Sequence, residues 1–207
     1  MPDILINAFV TFLVVIDPLG LTPLFAAMTY GYSDSERRRM VWHATAIATV
    51  ILFGFAVAGD FVLESLGISL AAFRIAGGVL LFLVAIDMLF ARQIGLRTLT
   101  ANEDAETIQR HDISVFPLAI PLIAGPGAIA SVLLLMGRTQ GDVWLQAAIL
   151  GVLLGVLLLT LLLLLLTGRI IQLLGVTGIN VITRVLGILL AALAVQFGLD
   201  GLREAFL

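Results

Sequence analysis

Asp17 stands near the centre of an apolar run, Ile4 to Met28, and is followed at once by Pro18-Leu19-Gly20 and then Pro23. A charged Asp at the centre of a membrane helix costs about 2.5–3.5 kcal/mol on insertion scales, so this one is expected to be paired or neutralised. Either state suits a coupling site for a proton or cation, or an anchor for a substrate ammonium. A plainer reading makes Asp17 the N-cap of a half-helix whose first residue is Pro18, a favourable arrangement of both residue types. The two readings are compatible.

A second apolar run carries a matching interruption: Pro117, Pro121 and then Gly125-Pro126-Gly127. Proline inside a helix costs about 3 kcal/mol and frees a carbonyl one turn earlier. In hydrocarbon such groups survive only when buried in protein or lining a polar cavity. Two breaks at similar depth therefore suggest one cavity near the midplane. Its expected walls are Asp17, Pro18, Leu19 and Gly20 from the first break and Gly125, Pro126, Gly127 and Ala128 from the second. Half-helices starting after Gly20 and Gly127 would offer free N–H groups and a positive dipole end to a carboxylate. Freed carbonyls, or Asp17, would take an ammonium or a cation. The small residues Gly125, Gly127 and Ala128 would let the backbone approach a small zwitterion. The bland alternative is a pair of ordinary proline kinks.

Arg74 and Arg184 each lie a few residues inside the start of an apolar run. A cation near a helix N-terminus opposes the dipole. Snorkelling is one explanation; bonding to an acidic partner or to the freed backbone of a broken helix is the other. Asp87 reads as a solvated interfacial group, and Asn180 and Gln196 as interhelical hydrogen-bonding residues. The two histidines, His43 and His111, are isolated from any third ligand, and the chain has no cysteine. With neither a metal-ligand spacing nor a nucleophile–base pair, the expectation is a protein that is not an enzyme and holds no metal or cofactor.

The elements that must position these residues are membrane helices. Of the 207 residues 61% are hydrophobic and only 12% charged, about half the charged share of an ordinary globular domain. Mean hydropathy is +1.16. Runs of around 20 apolar residues are each long enough to cross about 30 Å of hydrocarbon, and the period-two alternation of a barrel is absent. The spans are expected at about Ile4–Met28, Val41–Leu63, Ile68–Phe90, Ile113–Met136, Val143–Thr167 and Ile179–Leu202. The fold class is thus an all-α membrane protein, a single transmembrane domain over 1–207. The Leu-rich run from Leu153 to Leu166 reads as a lipid-facing helix, with Gly151 and Gly155 permitting close helix packing. The net charge of -3 points to no nucleic-acid partner.

The two charged connections are Gly31 to Arg39, where Ser33 or Ser35 could cap a helix, and a linker at 92–112. Arg37, Arg38, Arg39, Arg92, Arg97, Arg110 and Arg169 fall on one side, Arg138 and Arg203 on the other. Basic residues of short loops favour the cytoplasm, so both termini are expected outside it. Trp42 and Trp144 stand at helix starts, where indoles favour the interface. The first Met-Pro-Asp lacks the positive region of a signal peptide, so the first helix is read as retained.

The chain also reads as two related halves, about 1–91 and 113–207. Arg74-Ile75-Ala76-Gly77-Gly78-Val79-Leu80 compares with Arg184-Val185-Leu186-Gly187-Ile188-Leu189-Leu190, and the Pro/Gly breaks fall in the first and fourth spans. Three helices per half is odd, so the halves must be inverted. Inverted repeats with helices interrupted at matching positions are the strongest sequence pointer to a secondary transporter and its site.

These segments resemble the MarC family of bacterial inner-membrane proteins, which includes SnatA-type small neutral amino acid transporters. The resemblance rests on Asp17-Pro18-Leu19-Gly20 with Pro23, on Phe73 to Gly78, and on Val115-Phe116-Pro117-Leu118-Ala119-Ile120-Pro121 through Ala124-Gly125-Pro126-Gly127. Arg184, Gly187, Gln196 and Gly201 add to it. Leu21 departs from the Asn of many members. The resemblance implies six helices, a cytoplasmic loop joining the halves, and transport of glycine or alanine by some members, driven by protons or cations. The reading is therefore a multi-pass transporter whose partners are a small neutral amino acid, a coupling proton or cation, and the bilayer. The rivals are a membrane assembly or signalling protein and a passive channel or small-metabolite exporter.

Overall fold

The computed structural model describes residues 2–90, 113–139 and 141–206. The linker at 92–112, with Arg92, Arg97, Arg110 and His111, lies outside the described residues. Helix α1 (Pro2–Ile16) and α2 (Leu21–Met28) form one interrupted span, followed by α3 (Asp34–Ser65) and α4 (Leu70–Phe90). The second half repeats that order: α5 (Ser114–Ile123), α6 (Pro126–Gly137), α7 (Val143–Leu165) and α8 (Thr167–Phe206). Five segments are long and apolar enough to cross a membrane, six when α5 and α6, bent by 50°, count as one.

Local chemistry explains the boundaries. Ser33 caps α3 in a reciprocal capping box with Glu36, the S-x-x-E pattern that satisfies two orphan donors at once. Arg37, Arg38 and Arg39 are consequently the opening turns of a 32-residue helix, not a loop as their charge had suggested. Asp142 caps α7 by accepting from the amides of Trp144 and Leu145. Segment α5 is irregular, with π-type turns. Phe116 and Ile120 are extended there, as a following proline requires, and the peptide bonds to Pro117 and Pro121 are cis. The last helix begins earlier than expected, at Thr167, and is interrupted at Gly175, where φ is +65°. That value is open to glycine and strained for other residues.

Helix α6 is the centre of the bundle. Residues Gly127, Ala128 and Ala130 to Met136 are all buried, and α1, α3, α4 and α7 all pack on it. Helix α3 presents a stripe of Val41, Ala44, Thr45, Ala48 and Leu52 to the interior, mostly small residues whose spacing puts them on one face. In hydrocarbon, association relies on such close packing rather than on a hydrophobic drive.

The most extensive pairing is α4 with α8, which run antiparallel. A Cβ on Gly201 would meet Ala71 and Arg74, one on Gly78 would meet Ala194 and Gly198, and one on Gly187 would meet Ala85 and Met88. An antiparallel course for these two helices is a condition that inverted halves must satisfy. The Leu-rich helix α7 differs in part from expectation: Leu153, Val156, Leu157, Thr160, Leu161 and Leu164 are buried, while Gly151, Leu154, Gly155, Leu158 and Leu162 form the exposed side. Gly151 and Gly155 have nothing within 4 Å of where a Cβ would stand, so they are not packing glycines in the monomer. The contrast is testable. Gly78→Ala places its Cβ 2.7 Å from the Ala194 carbonyl oxygen and should cost about 1–3 kcal/mol. Gly151→Ala should stay within about 0.5 kcal/mol of wild type. Thermal unfolding of both variants in detergent checks the pair.

Candidate functional site

At the first break the chain leaves the right-handed helix at Asp17, whose φ is +48°. The following proline disfavours continued αR geometry, and Asp tolerates the left-handed region better than most residues. The side chain is 1% exposed. Its Oδ1 accepts from the Gly20 amide at 3.1 Å, and its carbonyl accepts from the Leu21 amide at 3.1 Å. Asp17 is thus a helix cap in fact. It also receives a long contact of 3.5 Å from the Thr183 hydroxyl of α8. Gly20 is glycine for lack of space, since a Cβ there would stand 2.0 Å from Asp17 Oδ2. Pro18 is buried and Leu19 half-buried; the Leu19 carbonyl accepts from the Thr22 hydroxyl at 2.7 Å.

The second break is built differently. Gly125 precedes Pro126, the first residue of α6, and no side chain caps that helix. A Cβ on Gly125 would lie 2.3 Å from the Pro121 carbonyl oxygen, which restricts the position to glycine. The first-turn N–H groups of Gly127 and Ala128 have no partner one turn earlier within the helix. They open beside a cavity of about 190 Å³ lined by Val15, Leu80, Val84, Pro121 to Ile123 and Gly125 to Ala128.

The two breaks are neighbours without forming one chamber. Gly127 lies against Val15, two residues before Asp17, with 3.3 Å between its would-be Cβ and Val15 Cγ1. Yet Asp17, Pro18, Leu19 and Gly20 do not line the cavity. The expectation of a free N-terminus after each break is corrected on two points. The α2 end is occupied by its own Asp17 cap, and the second half-helix starts at Pro126 rather than after Gly127. Residues not anticipated from the sequence are Thr183, Val15, Leu80 and Val84. Thr183 carried a faint signal as a hydroxyl in an apolar helix; the other three look like ordinary core positions.

Arg74 finds an acidic partner, Glu204, across α4 and α8. Beside it Arg138 pairs with Asp200 and lies 4.8 Å from the centroid of Phe197. Gln196 donates to Asp200 at 2.8 Å. The two ion pairs and Arg203 line an open cleft at one end of the bundle. Arg184 is exposed and has no ion pair among the described residues. Asn180 is exposed, and Asp87 is half-buried with an interaction of its own.

Interrupted apolar helices around a buried, bent central segment define a multi-pass integral membrane protein whose irregular backbone is sheltered at mid-bundle. The sequence profile of the MarC family integral membrane proteins matches residues 3–206, and the chain belongs to that family. It is 40% identical to a UPF0056 membrane protein of Archaeoglobus fulgidus, over 95% of this chain and 91% of the relative. It is 35% identical to the UPF0056 membrane protein YvbG of Bacillus subtilis, over 100% and 97% of the two chains. It is 34% identical to the UPF0056 membrane protein YhcE of Escherichia coli K12, over 96% and 91%. No solved structure matches the chain.

Proposed function

We propose that this protein is a SnatA-type secondary transporter of small neutral amino acids, of the glycine and alanine class, coupled to a proton or cation. The observation that carries the reading is the uncapped N-terminus of α6 opening on a cavity of about 190 Å³ within the bundle. Free N–H groups and a positive dipole end suit a carboxylate. The cavity lies below the roughly 300–1,000 Å³ of pockets for drug-sized ligands, and its walls are largely aliphatic, which suits a small neutral side chain. Asp17, buried two residues beyond the wall residue Val15, supplies an ionisable group for coupling. The repeated order of broken span, long helix and long helix supports inverted halves of the kind that secondary transporters use.

The membrane is a bacterial inner membrane in this reading. Arg37, Arg38 and Arg169 gather at one end of the bundle, which is assigned to the cytoplasm; both termini then lie outside it. Counterflow tests the substrate class directly. Proteoliposomes loaded with unlabelled alanine should accumulate labelled glycine transiently, and vesicles loaded with leucine should not. Equal, protein-independent label in both would remove the amino-acid assignment.

A further inference from the structure

The described arginines at the two ends of the bundle are neutralised differently. At the end of Arg74 and Arg138, Glu204 and Asp200 form ion pairs with them. At the other end a cavity of about 280 Å³ is lined by Arg37, Arg38 and Arg169, with Asp34 the one carboxylate among the described residues of its walls. None of these three arginines has an ion pair among the described residues. Arg37 is held with its guanidinium 5.7 Å from the centroid of Phe25, which fixes it toward the cavity rather than leaving it to extend into solvent. Leu166, which joins α7 to α8, cannot cap α8 with its side chain, so the first-turn amides of Gly168 and Arg169 reach the same space. Only the next amide, that of Ile170, has its partner, the Leu166 carbonyl at 3.0 Å.

We infer that this cavity binds a phosphate-bearing group. Guanidinium forks match phosphate oxygens in pairs, and the helix start adds N–H donors of the kind that anions seek. Two features place the group at the membrane surface. Trp42, 58% exposed, stands one turn further along α3, at the level where indoles mark the interface. Beside the arginines the cavity is also lined by the half-buried, apolar Leu165 and Leu166, the kind of surface that the glycerol and acyl portion of an anionic phospholipid would require. Free inorganic phosphate shares the headgroup chemistry but has no use for those walls.

The full chain in detergent separates these sources. Phosphatidylglycerol, phosphatidylcholine and inorganic phosphate are each titrated against thermal unfolding, and native mass spectrometry counts retained lipid. Phosphatidylglycerol should raise the unfolding midpoint, phosphatidylcholine should not, and lipid should remain on the chain. The double variant Arg38→Gln, Arg169→Gln should retain phosphatidylglycerol about 30-fold more weakly. Arg38→Lys, Arg169→Lys should recover part of the loss, and Arg203→Gln at the opposite end should change nothing. A shift with phosphate alone would assign the site to a free anion. No shift in either arm, or equal retention by the double glutamine variant, would overturn the inference.

Discussion

Gly127→Ala is expected to leave the protein folded and to lower alanine uptake on the order of tenfold or more. The added methyl would sit 3.3 Å from Val15 Cγ1, 3.4 Å from Leu81 Cδ2 and 3.5 Å from Val84 Cγ2. These are side-chain ends, able to yield by a few tenths of an ångström. The gain in helix propensity from Gly to Ala, about 1 kcal/mol, offsets that crowding. The fold should therefore tolerate the change. The cavity should not, because the methyl stands at the α6 N-terminus where a substrate carboxylate would seat. Gly127 is helical, so space rather than a glycine-only conformation makes the position sensitive. Gly127→Val presses a branched side chain against α1 and α4 and should abolish uptake altogether. Both variants need parallel measurement of membrane expression and unfolding temperature. Unchanged uptake by a well-expressed Gly127→Ala would put the pocket elsewhere.

Asp17 separates coupling from capping. Asp17→Asn keeps an oxygen for the Gly20 amide and keeps a residue type that accepts a φ of +48°, so stability should hardly change. If the carboxyl exchanges the coupling proton or helps to hold a cation, gradient-driven accumulation should nevertheless vanish, with exchange across the membrane preserved. Asp17→Ala loses both the cap and the tolerance for left-handed geometry, at about 1–2 kcal/mol for each. Its defect should appear as lost stability as well as lost transport. Full gradient-dependent accumulation by the Asn variant would remove Asp17 from the coupling mechanism and leave the α6 backbone as the site.

The parts of this structure that could be read in the sequence are those fixed by local chemistry. Pro18 and Gly20 after Asp17, and Gly125-Pro126-Gly127, announce breaks because neither residue type continues a helix comfortably in hydrocarbon. The α3 start is also written locally, in Ser33-Asp34-Ser35-Glu36, but the triple arginine that follows has the charge density of a loop. What stayed hidden depends on contacts between distant segments. No spacing pairs Arg74 with Glu204, 130 residues away, or brings Thr183 to Asp17. Gly151 and Gly155 resemble Gly78 and Gly187 in sequence, yet only the latter two have a neighbouring helix against them. The difference between a capped α2 and an uncapped α6 is likewise tertiary. It turns on whether a side chain folds back on the break, and it moves the candidate anion site from both half-helices to one.

The most direct test of the central claim is accumulation of labelled alanine in proteoliposomes containing the purified wild-type chain, with imposed pH or sodium gradients and with none. Accumulation above equilibrium in one of the imposed gradients, competed by unlabelled glycine and lost in Gly127→Ala, is the predicted result. Protein-dependent flux that only equilibrates under every gradient, or no protein-dependent flux at all, would contradict a coupled transporter of small neutral amino acids.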